Sequence, residues 1–163
     1  MQHDDSETPL GLLMACHERI RRYLGGLDAL IALEDPEDPR ARPTARDCAR
    51  YFGEALPLHA EDEEASLVPR LLALDLDSSV IEALETMQRQ HVAIEAQLPA
   101  LVAQLQRRAE GEVVDLAPLA GPFSALLLQH IAAEEEVLFG HIERLDPTEQ
   151  RAFVREIRGR RRR

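Results

Sequence analysis

The sequence predicts an all-α protein, an up-down-up-down antiparallel four-helix bundle with a short C-terminal fifth helix, on three observations. Hydrophobic residues make up 45% of the chain but aromatic residues only 4%, and the good helix formers Leu, Ala, Glu and Arg dominate where strand formers are scarce. Four helix-length stretches are separated by segments rich in helix breakers. Each stretch carries apolar residues at helical spacing, with one histidine in the middle of that stripe. At 163 residues the chain suits one domain with a single core.

The first helix runs from about Pro9 to Leu33 and stops at "EDPEDPRARP", whose three prolines and acidic pairs mark a loop. The second begins near Pro43, suited to a first-turn position, and ends around Leu74 before "DLDSS". The third follows an Asp77 or Ser78 cap to about Ala109. The fourth starts between Leu116 and Pro122, after "EGEVVD". A short fifth begins at "DPTE", where Asp146 as N-cap, Pro147 at the first position and Glu149 at the third make a capping-box pattern. Pro57, Pro69 and Pro99 fall inside helices and are expected to bend them. The organisation is then a disordered tail over 1–8, which includes His3, a bundle over 9–145, and a short helix with an Arg-rich tail over 146–163.

The net charge of −11 is uneven. The last nine residues, "REIRGRRRR", hold six Arg against one Glu, so the rest of the chain is strongly acidic and unsuited to nucleic acid. The Arg tail reads as a solvated end. Cys16 and Cys48 make no disulfide framework and fit a reducing, cytoplasmic setting as small buried hydrophobes. No apolar run approaches a membrane span.

Placing each histidine at the origin of a 100° helical wheel shows what it shares its face with. His17 lies among Leu10, Leu13, Met14, Leu24 and Ile31. His59 lies with Phe52 and Leu56, His91 with Val80, Leu84, Met87, Leu98 and Val102, and His130 with Phe123, Leu126, Leu127 and Val137. Glu63, Glu95 and Glu134 each follow a histidine by four residues, about 40° away on the same stripe. A buried unpaired carboxylate costs several kcal/mol even after relaxation, so three converging in one core call for a positive partner. Lys is absent, and Arg21 is the only arginine beside a stripe. A metal answers the need: imidazole and carboxylate without thiolate suit iron or manganese, and glutamates can bridge two ions.

The pattern is also duplicated. His59 and His130, like Glu63 and Glu134, are 71 residues apart, and "HAEDEEASLVPRL" aligns with "HIAAEEEVLFGHI" without a gap. Two helix pairs facing each other across a pseudo-two-fold axis suit a dinuclear site. Ferritin-like di-iron proteins need Glu three residues before His, and Met14, Leu56, Gln88 and Leu127 stand there instead. The second histidine of a zincin and any phosphate loop or nucleophile elbow are also missing.

One histidine from each of four helices, with H-x-x-x-E on the second and fourth, resembles the hemerythrin or HHE cation-binding domain over about residues 9 to 145. The resemblance implies a non-haem centre of two iron ions with an oxo or hydroxo bridge and an open position, manganese being the alternative metal. Carried over by position, it implies His17, His59, His91 and His130 as terminal ligands and Glu63 and Glu134 as bridges, with Glu135 as rival to Glu134; the wheel favours Glu134. Oxygen carriers of the family have a second histidine where this chain has Glu95. Glu95 is expected to ligate, though Pro99 can distort the helix there and turn it away. A third carboxylate favours the ferric state and argues against reversible oxygen carriage. His141, about 16 Å along from His130, is too far to join. The implied partner is oxygen, peroxide or nitric oxide. Sensor and peroxide- or oxygen-reactive enzyme both fit, with an iron storage or donor module for repair and a metal-free helical interaction domain as alternatives.

Overall fold

A computed structural model describes residues 8–33, 35 and 37–163, and among these every regular element is helical. Helix α1 is Pro9–Ala32. Helix α2 covers residues 41–72, α3 is Ser78–Ala109, α4 covers 117–144, and α5 is Pro147–Arg160. The tail expected at 1–8, His3 included, lies outside the described residues except for Thr8, whose side-chain oxygen caps α1 by accepting from Gly11 N at 3.0 Å.

The other ends follow local chemistry. Asp77 precedes α3 in an extended conformation, as expected, and its carbonyl accepts from Val80 N at 3.0 Å. Gly111, at φ +95°, ends α3 in a Schellman arrangement: its own N–H bonds Arg108 O, and Glu112 N bonds Arg107 O. A side chain there would be strained and would also meet the Arg42 guanidinium. Asp146 caps α5 through Thr148 N and Glu149 N. The return half of a capping box is replaced by a tertiary contact, since Glu149 accepts from Arg70 Nε at 3.0 Å.

The prolines of α2 leave it continuous but change its winding. Tyr51–Ala55 and Glu63–Leu67 are π-helical turns, closed by Leu56 N to Tyr51 O and by Val68 N to Glu63 O. Each ends two residues before a proline, Pro57 or Pro69, whose ring lacks an N–H and crowds the carbonyl four residues back; widening the turn relieves that clash. Glu134–Leu138 in α4 is a third π turn, followed by the 3₁₀ segment Phe139–Arg144. The π turns that start at Glu63 and Glu134 are themselves 71 residues apart, so the duplication extends to backbone winding. Helix α3 stays α-helical through Pro99.

Helix α1 packs on α2 and α4, and α3 does likewise, while α5 lies against α1 and α2. The apolar interior forms two clusters. One contains Ile20 to Leu30 of α1, Phe52 and Leu56 of α2, Ile94 to Leu105 of α3, and Phe123 to Ile131 of α4. The other contains Leu13, Leu67 to Leu71, Val80 to Met87, and Leu138 to Ile142, closed off by Phe153 and Ile157 of α5. On every bundle helix the histidine stands at the junction between the clusters. The order of clusters along the chain reverses from each bundle helix to the next.

The Arg-rich end is not simply a solvated tail. Arg160 is buried, donating to Asp62 Oδ1 at 2.9 Å and to Ser66 Oγ at 2.7 Å, and Arg161 donates to Asp62 Oδ2 at 2.7 Å. Asp62 is fully buried, and burying a carboxylate requires such partners. Arg162 and Arg163 remain exposed.

Candidate metal centre

At the junction between the two clusters, His17, His59, Glu63, His130 and Glu134 are all buried and His91 is nearly so. On α2 the i to i+4 step puts His59 Nε2 3.1 Å from Glu63 Oε1, and on α4 it puts His130 Nε2 3.1 Å from Glu134 Oε1. The other oxygen of each carboxylate crosses to a different pair of helices. Glu63 Oε2 lies 3.0 Å from His91 Nε2, and Glu134 Oε2 lies 3.2 Å from His17 Nε2.

Two overlapping groups result, His17, His59, Glu63 and Glu134 on one side and Glu63, His91, His130 and Glu134 on the other, the ligand atoms of each lying within 4.8 Å of one another. Both carboxylates belong to both groups and face each with a different oxygen. Each group could hold a cation, and both glutamates could serve either one.

The donor atoms fit a metal better than they fit one another. His17 Nε2, His59 Nε2, Glu63 Oε1 and both Glu134 oxygens are buried without a hydrogen bond of proper geometry, despite the short separations above. Lone pairs aimed at a common point, rather than along donor–acceptor lines, leave such orphans, and buried orphans cost free energy unless something else satisfies them. Imidazole and carboxylate donors with no thiolate suit iron, manganese or zinc.

The outer ring nitrogens of His17, His91 and His130 are held in turn. His17 Nδ1 is 2.8 Å from Glu135 Oε1, whose other oxygen accepts from Arg21 at 2.8 Å. His91 Nδ1 is 2.6 Å from Glu64 Oε1, whose other oxygen accepts from Gln88 at 3.0 Å. His130 Nδ1 is 3.0 Å from Gln90 Oε1. Such partners fix a ligating imidazole's tautomer and orientation. Glu64 and Glu135 obey the duplication, each following a shared carboxylate and each holding the histidine of an opposite helix. Sequence reasoning passed over Glu64 and weighed Glu135 only as a ligand. The repeated Glu-Glu pair in the aligned segments was the signal available.

Glu95 is not brought into either group. It is exposed and lines a cavity beside His91. The reason lies in chain direction: Glu63 and Glu134 follow their histidines toward the cluster around Leu138, whereas Glu95 follows His91 toward the cluster around Leu101. His141 also stands apart, its Nδ1 3.0 Å from an Arg144 nitrogen.

Electrostatics add a second answer to the need for a positive partner among the buried carboxylates, beside the metal expected from sequence. Burial pushes the pKa of His17 down, but Glu134 and Glu63 more than reverse this and raise it to about 10. Burial likewise depresses His91, and Glu63 and Glu64 lift it to about 9. His59 is raised by Glu63 against its burial, and Glu63 is held well below the usual carboxylate range by His59, His17 and His91, against the upward push of burial. Without metal, protonated imidazoles are the counter-charge. A metal entering the site displaces those protons.

A cavity of about 460 Å³ between α2 and α3 reaches His59, His91 and His130 from outside. Among the described residues no helix is long and apolar enough to cross a membrane. A family model described as the hemerythrin HHE cation binding domain matches residues 8–142. No curated protein matches the chain.

Proposed function

The chain belongs to the hemerythrin HHE cation-binding family, and we propose that it holds two iron ions between its four bundle helices and uses them to react with, or report on, oxygen, peroxide or nitric oxide. The observation that carries this reading is the sharing of Glu63 and Glu134 between two histidine pairs, one oxygen to each side. His17 and His59 would hold one ion and His91 and His130 the other, in an antiparallel up-down-up-down bundle supported by the reversal of core order from helix to helix. When bound, the pair of irons supplies electrons and an open coordination position for a small oxidant.

The chain's own residues supply the rest. Glu135, Glu64 and Gln90 orient His17, His91 and His130 from behind. The apolar layers above and below the site exclude water from the carboxylates and strengthen their hold on a cation. On the cavity side, Glu64, Gln88 and Glu95 line the path between solvent and the histidines. Acids on that path give protons a route to the site, which favours consuming an oxidant over storing it unreacted. Full burial of both shared carboxylates speaks for retention of metal, and so against a module that hands iron on.

The test is anaerobic loading with ferrous iron followed by stopped-flow mixing with air-saturated buffer. The expected outcome is two irons per chain and direct oxidation without a long-lived oxygen complex. A stable, reversible oxygen complex would contradict the reactive reading.

A further inference from the structure

The cavity above the histidines is far larger than a diatomic gas requires. Liquid water occupies about 30 Å³ per molecule, and a diatomic is of the same order, whereas the cavity holds about 460 Å³. That volume falls in the range of roughly 300–1,000 Å³ found for pockets that take organic ligands. Its walls are Leu56, Ile94, Leu98 and Leu127, with Val92, 68% exposed, at its edge.

The imidazoles at its floor are taken up by carboxylates, His91 by Glu63 and Glu64 and His59 by Glu63, and the other charged groups along it are acidic. Glu64 is occupied by His91 and Gln88, and Glu61 lies 3.3 Å from Arg160 Nε. Glu95 has no ion-pair partner among the described residues, and of the described residues that line the cavity none is an arginine. An organic anion entering the metal-free protein would therefore meet an uncompensated carboxylate in Glu95, while the imidazoles at the floor are already engaged by Glu63 and Glu64. An uncharged molecule would lose nothing on that account and would gain from covering the apolar wall.

We propose that this cavity binds an uncharged, largely apolar organic molecule next to the His91 and His130 side of the centre, and that Glu95 excludes organic anions from it. The proposal rests on the metal reading only for what happens to the ligand at the cavity floor; binding itself is a property of the cavity wall, with or without metal.

Two fluorescent probes with the same aromatic body separate the possibilities: neutral N-phenyl-1-naphthylamine and the anion 1-anilinonaphthalene-8-sulfonate. Each is titrated into the full chain, metal-free and zinc-loaded. The neutral probe should saturate at one per chain in both forms, with the sulfonate weaker by at least about tenfold in the metal-free form. Glu95→Gln should narrow that preference to within about threefold. Leu98→Trp, which fills the cavity, should weaken the neutral probe by about tenfold or more, and Val92→Trp, at an exposed position that tolerates a large side chain, by about threefold. Equal affinity of the metal-free protein for the two probes, or unchanged neutral-probe affinity in the folded Trp variants, would overturn the proposal. Zinc content measured on the same samples keeps the two claims apart: two zinc ions with no probe bound defeats the cavity claim alone, and probe bound with no zinc taken up defeats the metal reading alone.

Discussion

Glu135 Oε1 lies 2.8 Å from Nδ1 of His17, on the side of the ring away from the shared carboxylates. Residues 134 and 135 thus divide the work: Glu134 turns its oxygens into the centre, while Glu135 reaches across to the imidazole that faces it. Arg21 holds the far oxygen of Glu135 at 2.8 Å and keeps its pKa below the usual range, together with His17.

Glu135→Ala should therefore loosen His17 without removing a ligand. Metal affinity should fall by about ten- to a hundredfold while two ions still bind at saturation. Competition titration against a chelator of known affinity checks this, and Glu64→Ala should act alike through His91. A stoichiometry of one in either variant would mean that the carboxylate ligates directly.

Glu63→Ala and Glu134→Ala should behave differently from any single histidine variant. Each carboxylate belongs to both groups, so its loss should lower the content from two ions toward none, whereas His130→Ala should leave about one ion on the His17 side. Elemental analysis after gel filtration reads the difference.

Metal affinity should climb with pH. His17 and His91 of the metal-free protein lose their protons near pH 10 and near pH 9, so at pH 7 each must be displaced. Affinity summed over the two ions should then rise by up to about a hundredfold per pH unit between pH 7 and 9, levelling near 10. Proton release in weakly buffered solution during zinc addition measures the same quantity. The stability of the metal-free form moves the other way. A histidine whose folded pKa lies above its ordinary value stabilises fully below pH 6.5 and loses that contribution as pH rises through the raised value, so the metal-free melting temperature should drop between pH 7 and 10. Glu63, held low, adds stability above its ordinary range that is lost as the solution is acidified.

Asp62→Ala should destabilise the fold by about 3–5 kcal/mol, because it strands the Arg160 guanidinium in a buried position. Urea denaturation measures it. Arg162→Ala, at an exposed position, should change stability by less than about 0.5 kcal/mol.

The helices and the histidine layer were legible in the sequence because 3.6-residue periodicity and N-cap chemistry are local, and because His17, His59, His91 and His130 each stand in an apolar stripe. Asp77 and Asp146 announce their helices for the same reason. What was not legible depends on how helices face one another. A regular 100° wheel cannot represent the π turns that start at Glu63 and Glu134, and it sets Glu95 beside His91 on the stripe without showing the level along the bundle at which Glu95 stands. Pairing across 98 residues, as between Asp62 and Arg160, leaves no periodic trace, so the Arg-rich end looked solvated. The step from buried carboxylates to a metal left out proton chemistry, since imidazoles beside carboxylates take up protons and offset the charge when no metal is bound.

Whether Glu63 and Glu134 join two metal ions into one centre is tested most directly by Mössbauer spectroscopy of the air-oxidised protein reconstituted with iron-57, in a strong applied field at liquid-helium temperature. Two ferric ions bridged by shared carboxylates should couple to a diamagnetic ground state, with two irons per chain and only the applied field at each nucleus. Magnetically split spectra of isolated high-spin ferric ions, at one or two per chain, would contradict the shared centre.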